Sequence, residues 1–164
     1  MEIFLQASDI LQFAVRIEED GEIFYRKAAL TAGDESARMF FNDLADQEIG
    51  HKKTFQNMLT KTGEHMPPES FQGEYIAYLR DYIDNKAVFT KDAASQQLSD
   101  TGDISSAVSF AMQRELDSIL YYQEARQFLS VRHHGAIDSI IEEERKHFTN
   151  LAEMLIRIDS NKGK

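Results

Sequence analysis

Apolar residues recur at spacings of three and four along four stretches of the chain, roughly residues 8 to 32, 34 to 62, 104 to 130 and 135 to 158. Each is about 25 residues long, which gives a helix of roughly 38 Å. The two prolines, Pro67 and Pro68, fall outside all four stretches, so nothing in them interrupts a helix. Ser8 or Asp9, Asp34 after Gly33, and Asp103 after Gly102 stand where a side-chain oxygen caps the orphan N–H groups of a helix start. The links between the first two and the last two stretches are short, which predicts two antiparallel hairpins. Residues 63 to 103 lie between the hairpins and carry Tyr75, Tyr78, Leu79, Tyr82 and Ile83 at helical spacing. The pattern therefore predicts an all-α, antiparallel four-helix bundle in a single domain over residues 1 to 164, with a long helical crossover between helices 2 and 3.

The two hairpins repeat each other. QFAVRIEEDGEIFYRKAA (residues 12 to 29) aligns with SFAMQRELDSILYYQEAR (109 to 126), and LADQEIGHKKTFQNML (44 to 59) aligns with IIEEERKHFTNLAEML (140 to 155). A bundle with a pseudo-two-fold axis follows.

Each inward stripe is broken by polar residues. Helix 1 reads Leu11, Ala14, Glu18, Gly21, Tyr25, Ala28, Ala32, and helix 3 reads Val108, Ala111, Glu115, Ser118, Tyr122, Ala125, Leu129. Helix 2 reads Phe41, Leu44, Glu48, His51, Phe55, Met58, and helix 4 reads Ile137, Ile140, Glu144, His147, Leu151, Met154. Residues three apart share a helix face, so each Glu and His pair reaches one point in the interior. Four carboxylates and two imidazoles then converge where an unpaired carboxylate costs several kcal/mol and its neighbours repel it. No Lys or Arg occupies these stripes, whereas two divalent cations balance four Glu. The reading is a dinuclear metal site: Glu18 and Glu115 as terminal ligands, Glu48 and Glu144 as bridges, and one imidazole each from His51 and His147. Fewer than six protein donors reach each metal, leaving room for water, O₂ or peroxide. Tyr25 and Tyr122, each seven residues after a terminal Glu, are placed to donate hydrogen bonds into the cluster.

Composition narrows the partners. With 18 Lys plus Arg against 28 Asp plus Glu, the formal charge is −10, which disfavours nucleic acid and anionic membrane surfaces. The absence of Cys rules out thiolate-held zinc or iron and leaves N and O donors for any metal. No apolar run approaches the length of a membrane span and the start lacks a basic, then apolar leader, so a cytoplasmic location is expected. With 15 Glu and 5 His, chance supplies roughly half an E-x-x-H. Two of them in register with two E-x₆-Y spacings therefore carry the weight. Glu19, Asp20, Glu142 and Glu143 read as surface acids, and His65, His133 and His134 as exposed residues of loops or a helix start. The tyrosines of the crossover read as a buried face or as a homodimer contact.

These four helices, with Glu18, Tyr25, Glu48, His51, Glu115, Tyr122, Glu144 and His147 in this order, resemble the ferritin-like di-iron carboxylate proteins. Within them the chain is most similar to the rubrerythrin-related branch, without the Cys-rich rubredoxin domain. The resemblance implies two iron ions and a di-iron oxidoreductase that reduces peroxide or O₂ in oxidative-stress defence or iron handling; Zn or Mn as substitutes stay open, since carboxylate and imidazole donors exclude neither. It implies electrons from an external donor such as a rubredoxin or a reductase. Rubrerythrins proper carry a further Glu where this chain has Ser118. The alternative is an iron-binding or ferroxidase protein that sequesters or delivers the metal.

Overall fold

The computed structural model describes residues 6–61 and 103–162. These residues form four helices, α1 (Ala7–Thr31), α2 (Glu35–Lys61), α3 (Ile104–Phe128) and α4 (Val131–Lys162), with no strand among them. α1 and α2 form one hairpin, tied by Arg26 Nη1 donating to Asn42 Oδ1 (2.8 Å) and by Lys52 Nζ donating to Glu22 (2.8 Å). α3 and α4 form the other, tied by Arg126 Nε donating to Asp138 (2.7 Å).

The hairpins meet along two antiparallel seams. In the first, Tyr121 Oη donates to the Ile10 carbonyl (2.8 Å), Arg114 Nη2 donates to the Ile17 carbonyl (3.2 Å), and the Phe24 and Phe110 rings lie 5.3 Å apart. The partner rises in number as α1 falls, so α1 and α3 run antiparallel. In the second, His51 of α2 meets Glu143 of α4, and Gln47 of α2 meets His147 of α4. The result is the four-helix bundle that the repeat and the stripes predict.

Among the described residues the interior is two apolar clusters, not one. Ile10, Leu11, Ala14, Phe55, Tyr121, Phe128, Ile137 and Ile140 pack in one, while Phe24, Phe41, Leu44, Val108, Ala111 and Leu151 pack in the other. Between them lies a buried polar layer of Glu18, Glu48, His51, Glu115, Glu144 and His147. Burial of the large side chains on both sides, at about 1.5–3 kcal/mol each, is what holds the polar layer out of water.

Several local expectations change. Asp34 and Asp103 do cap their helices, accepting from the amides of Ala37 (2.8 Å) and Ser105 (3.3 Å). At α1 the cap is Gln6, and Asp9 instead accepts the Gln6 amide (2.8 Å) from inside the first turn. α4 starts at Val131, not near 135, because the chain turns straight after Leu129: the His133 amide bonds the Ser130 carbonyl (2.8 Å), and Arg132 Nη2 bonds the Lys61 carbonyl (2.7 Å) at the end of α2. His133 and His134 are thus helical. His133 is buried beside Arg132, and His134 Nε2 bonds the Leu129 carbonyl (2.9 Å). The crossover, with its tyrosines and His65, lies outside the described residues.

Candidate metal centre

The sequence gives α1 and α3 one inward carboxylate each, and gives α2 and α4 a Glu and a His one turn apart. Packing brings all six together. Glu18, Glu48, His51 and Glu144 each offer a donor atom within 4.8 Å of the others, and so do Glu48, Glu115, Glu144 and His147. The two sets share Glu48 and Glu144, and each set adds one further Glu and one His. All six residues are buried.

The imidazoles point their Nδ1 atoms inward. His51 Nδ1 lies 3.2 Å from Glu144 and 3.4 Å from Glu18. His147 Nδ1 lies 2.9 Å from Glu144, 3.5 Å from Glu48 and 3.7 Å from Glu115. The outer Nε2 atoms are held across the second seam, His51 by Glu143 (2.8 Å) and His147 by the Gln47 side-chain oxygen (3.0 Å). Both acceptors can take the proton of Nε2, which turns each Nδ1 toward the carboxylates.

Electrostatics shows what this layer lacks. Burial, and then the charge of Glu18, pushes the Glu48 carboxyl well above the usual range, and burial with the charges of Glu115 and Glu48 lifts Glu144 to about 8. Burial by itself would lower His51, but the adjoining carboxylates of Glu144 and Glu18 outweigh it and raise it to about 12. His147 moves up for the same reason, between Glu115, Glu144 and Glu48. Burial would raise Glu115 as well, yet the bond with His147 brings it below its ordinary value. Protons are thus doing the work of cations in a layer of four acids. Even so, Glu18 Oε2, Glu48 Oε1 and His51 Nδ1 are buried and make no hydrogen bond. Buried carboxylate oxygens without a hydrogen bond are costly, and a cation between them satisfies them together. The residues therefore fit a pair of divalent metals.

The tyrosines bind across the pseudo-two-fold axis. Tyr25 of α1 donates to Glu115 of α3, and Tyr122 of α3 donates to Glu18 of α1. Burial first, then the charges of Glu115 and Glu48 at Tyr25 and of Glu18 and Glu144 at Tyr122, raise both phenols well above the ordinary tyrosine range. Both stay protonated donors, so each terminal carboxylate is aimed by the other hairpin.

Three residues near the layer depart from the sequence reading. Glu143 is not simply a surface acid, since it holds His51; its carboxylate shares the run with Glu142, which bonds Arg145 outside. Asp20 is buried, unlike its exposed neighbour Glu19. It lies on the α1 face of Ile10, Phe13, Ile17 and Phe24 that packs on α3, a second stripe offset from the first. Arg114 is buried on the matching face of α3, and a cation does therefore enter the interior. A Cβ on Gly21 would lie 2.8 Å from Glu48 Oε2 and 3.0 Å from Arg114 Nη2, so the glycine admits both groups to the side of α1. The signal for Arg114 and Asp20 was the α1–α3 stripe, which a single inward seam per helix does not describe.

A solved structure from Thermotoga maritima, described as a ferritin-like diiron-carboxylate protein, superposes on this chain with a TM-score of 0.67. It is 24% identical, and the match covers 94% of this chain and 97% of that one, which establishes the shared fold. Among curated proteins no sequence matches this one. Among the described residues no helix is long and apolar enough to cross a membrane. The family model for rubrerythrin matches residues 9–155, a span that includes all four helices' inward Glu and His residues and both tyrosines; the chain belongs to the rubrerythrin family.

Proposed function

We propose that the chain binds two iron ions and uses them as an oxidoreductase for peroxide or O₂. One iron is held by Glu18 and His51, the other by Glu115 and His147, and Glu48 and Glu144 bridge them. The observation that carries this is the pair of overlapping four-residue sets with two shared carboxylates. Four Glu and two divalent ions balance in charge, and the orphaned acceptor atoms obtain a partner. Zn or Mn fits the same donors; the rubrerythrin family favours iron.

A ferrous pair in this position supplies two electrons to an O–O bond. The chain's own residues supply the rest. Glu143 and Gln47 fix the tautomer of the two imidazoles, Tyr25 and Tyr122 orient the terminal carboxylates, and the two apolar clusters keep bulk water from the layer. Electrons come from a donor such as a rubredoxin or a reductase.

Anaerobic addition of Fe²⁺ followed by mixing with hydrogen peroxide tests this. Saturation at two irons per chain, and a near-UV ferric band that rises faster than for free Fe²⁺, is the expected result. Oxidation no faster than that of free Fe²⁺ overturns the oxidoreductase reading. Continued uptake far beyond two irons supports sequestration instead.

A further inference from the structure

The two metal positions are built alike on the inside and differently on the outside. Gln47 and Glu143 occupy equivalent places in the repeat, each one residue before its bridging Glu. Each reaches across the second seam to the outer nitrogen of the other hairpin's histidine: Glu143 to His51 at 2.8 Å, and Gln47 to His147 at 3.0 Å. One backing group is a carboxylate and the other a neutral amide. A carboxylate accepting the Nε2 proton gives the imidazole partial imidazolate character and makes its inward nitrogen a stronger donor, and an amide oxygen does so far less.

We infer that the two positions bind metal unequally, with the Glu18 and His51 position the tighter because Glu143 backs its histidine where Gln47 backs the other. This rests on the dinuclear reading above and deepens it. Glu143 is a positioning residue, acting through His51. Its side chain is 46% exposed and holds no place in the core, so Glu143→Gln removes the charge without removing packing.

The test is titration of the metal-free full-length chain with Co²⁺ alone, followed by calorimetry and by the visible Co²⁺ absorption bands. Crystals grown with one Co²⁺ per chain locate the first site by anomalous scattering. The wild type is expected to fill in two separable steps, the first at Glu18 and His51. In Glu143→Gln the first step weakens by about tenfold or more and its absorption bands shift, while the second step changes little. In Gln47→Glu the second step tightens. In the double exchange, Glu143→Gln with Gln47→Glu, the first Co²⁺ appears at Glu115 and His147. Two equal steps in the wild type, or an order of filling that neither exchange alters, overturns the inference and leaves the dinuclear reading standing. Uptake of fewer than two Co²⁺ overturns the dinuclear reading itself and this inference with it.

Discussion

The α1–α2 and α3–α4 hairpins agree where they face the polar layer and disagree one step away from it. Glu18 and Glu115, Tyr25 and Tyr122, Glu48 and Glu144, and His51 and His147 are paired by the repeat, and all are buried. Around them Ile17 stands opposite Arg114, Gly21 opposite Ser118, Phe24 opposite Tyr121 and Gln47 opposite Glu143. The difference teaches which contacts the layer requires of both halves and which each half is free to vary. Convergence of charge demands the same donors from each hairpin. Orientation of the imidazoles is met by different groups, a carboxylate behind one and an amide behind the other, and the α1–α3 seam differs as well, with a Tyr121 hydroxyl on the Ile10 carbonyl where Phe24 offers none.

The shared carboxylates are where the comparison breaks most severely. Glu48→Ala or Glu144→Ala is expected to reduce metal binding from two ions per chain to one or none, because each serves both sets. Without metal the same variants are expected to melt higher than the parent, since burial and neighbouring acids already push both carboxyls above their ordinary values. Metal analysis and thermal unfolding read the two effects separately.

Next in size is the pH dependence of the metal-free protein. Glu144 is raised from 4.5 to about 8, so between those values the folded state holds more protons than the unfolded one. Its contribution is complete below about 4.5 and disappears as pH rises through about 8. His51 is raised from 6.5 to about 12, so its contribution is complete below about 6.5 and declines through the alkaline range. Both slopes have the same sign, and the metal-free melting temperature is expected to fall from pH 5 to pH 9, by the equivalent of a few kcal/mol. Metal replaces these protons, so the loaded protein is expected to lose that slope. A metal-free melting temperature that rises over this range contradicts the assignment of charge.

The tyrosine pair sharpens the symmetry. Tyr25→Phe and Tyr122→Phe each remove a buried donor to a carboxylate, and each is expected to cost about 1.5–3 kcal/mol in chemical denaturation, with similar values for the two. A large difference between them would show that the halves are less alike inside than their geometry. The smallest expected effect on folding is at Gly21. Gly21→Ala favours the helix by about 0.5–1 kcal/mol but presses on Glu48 and Arg114, so stability is expected to move by less than about 1 kcal/mol while metal affinity drops. An affinity equal to that of the parent would mean that the Glu48 carboxylate swings aside freely.

Much of this architecture is legible in the sequence for a simple reason. An acid on an otherwise apolar stripe is conspicuous, and the repeat shows it four times, so the helices and the convergence of the six residues follow from spacing. Groups that act across seams are not visible in that way. Glu143 sits in a run of acids that composition assigns to solvent, and only the antiparallel register of α2 and α4 brings it to His51. Arg114 and Asp20 belong to the α1–α3 face, which becomes a buried face only once α3 packs there. The start of α4 was obscured because Val131, Arg132, His133 and His134 precede the first inward apolar residue, Ile137, and their helix is set by hydrogen bonds instead of periodicity.

The most direct measurement is anomalous scattering across the iron absorption edge from crystals of the iron-loaded chain. Two iron peaks about 3.5–4 Å apart are expected, one beside Glu18 and His51 and one beside Glu115 and His147, with Glu48 and Glu144 touching both. A single peak, or peaks away from these six side chains, would contradict a dinuclear centre in this bundle.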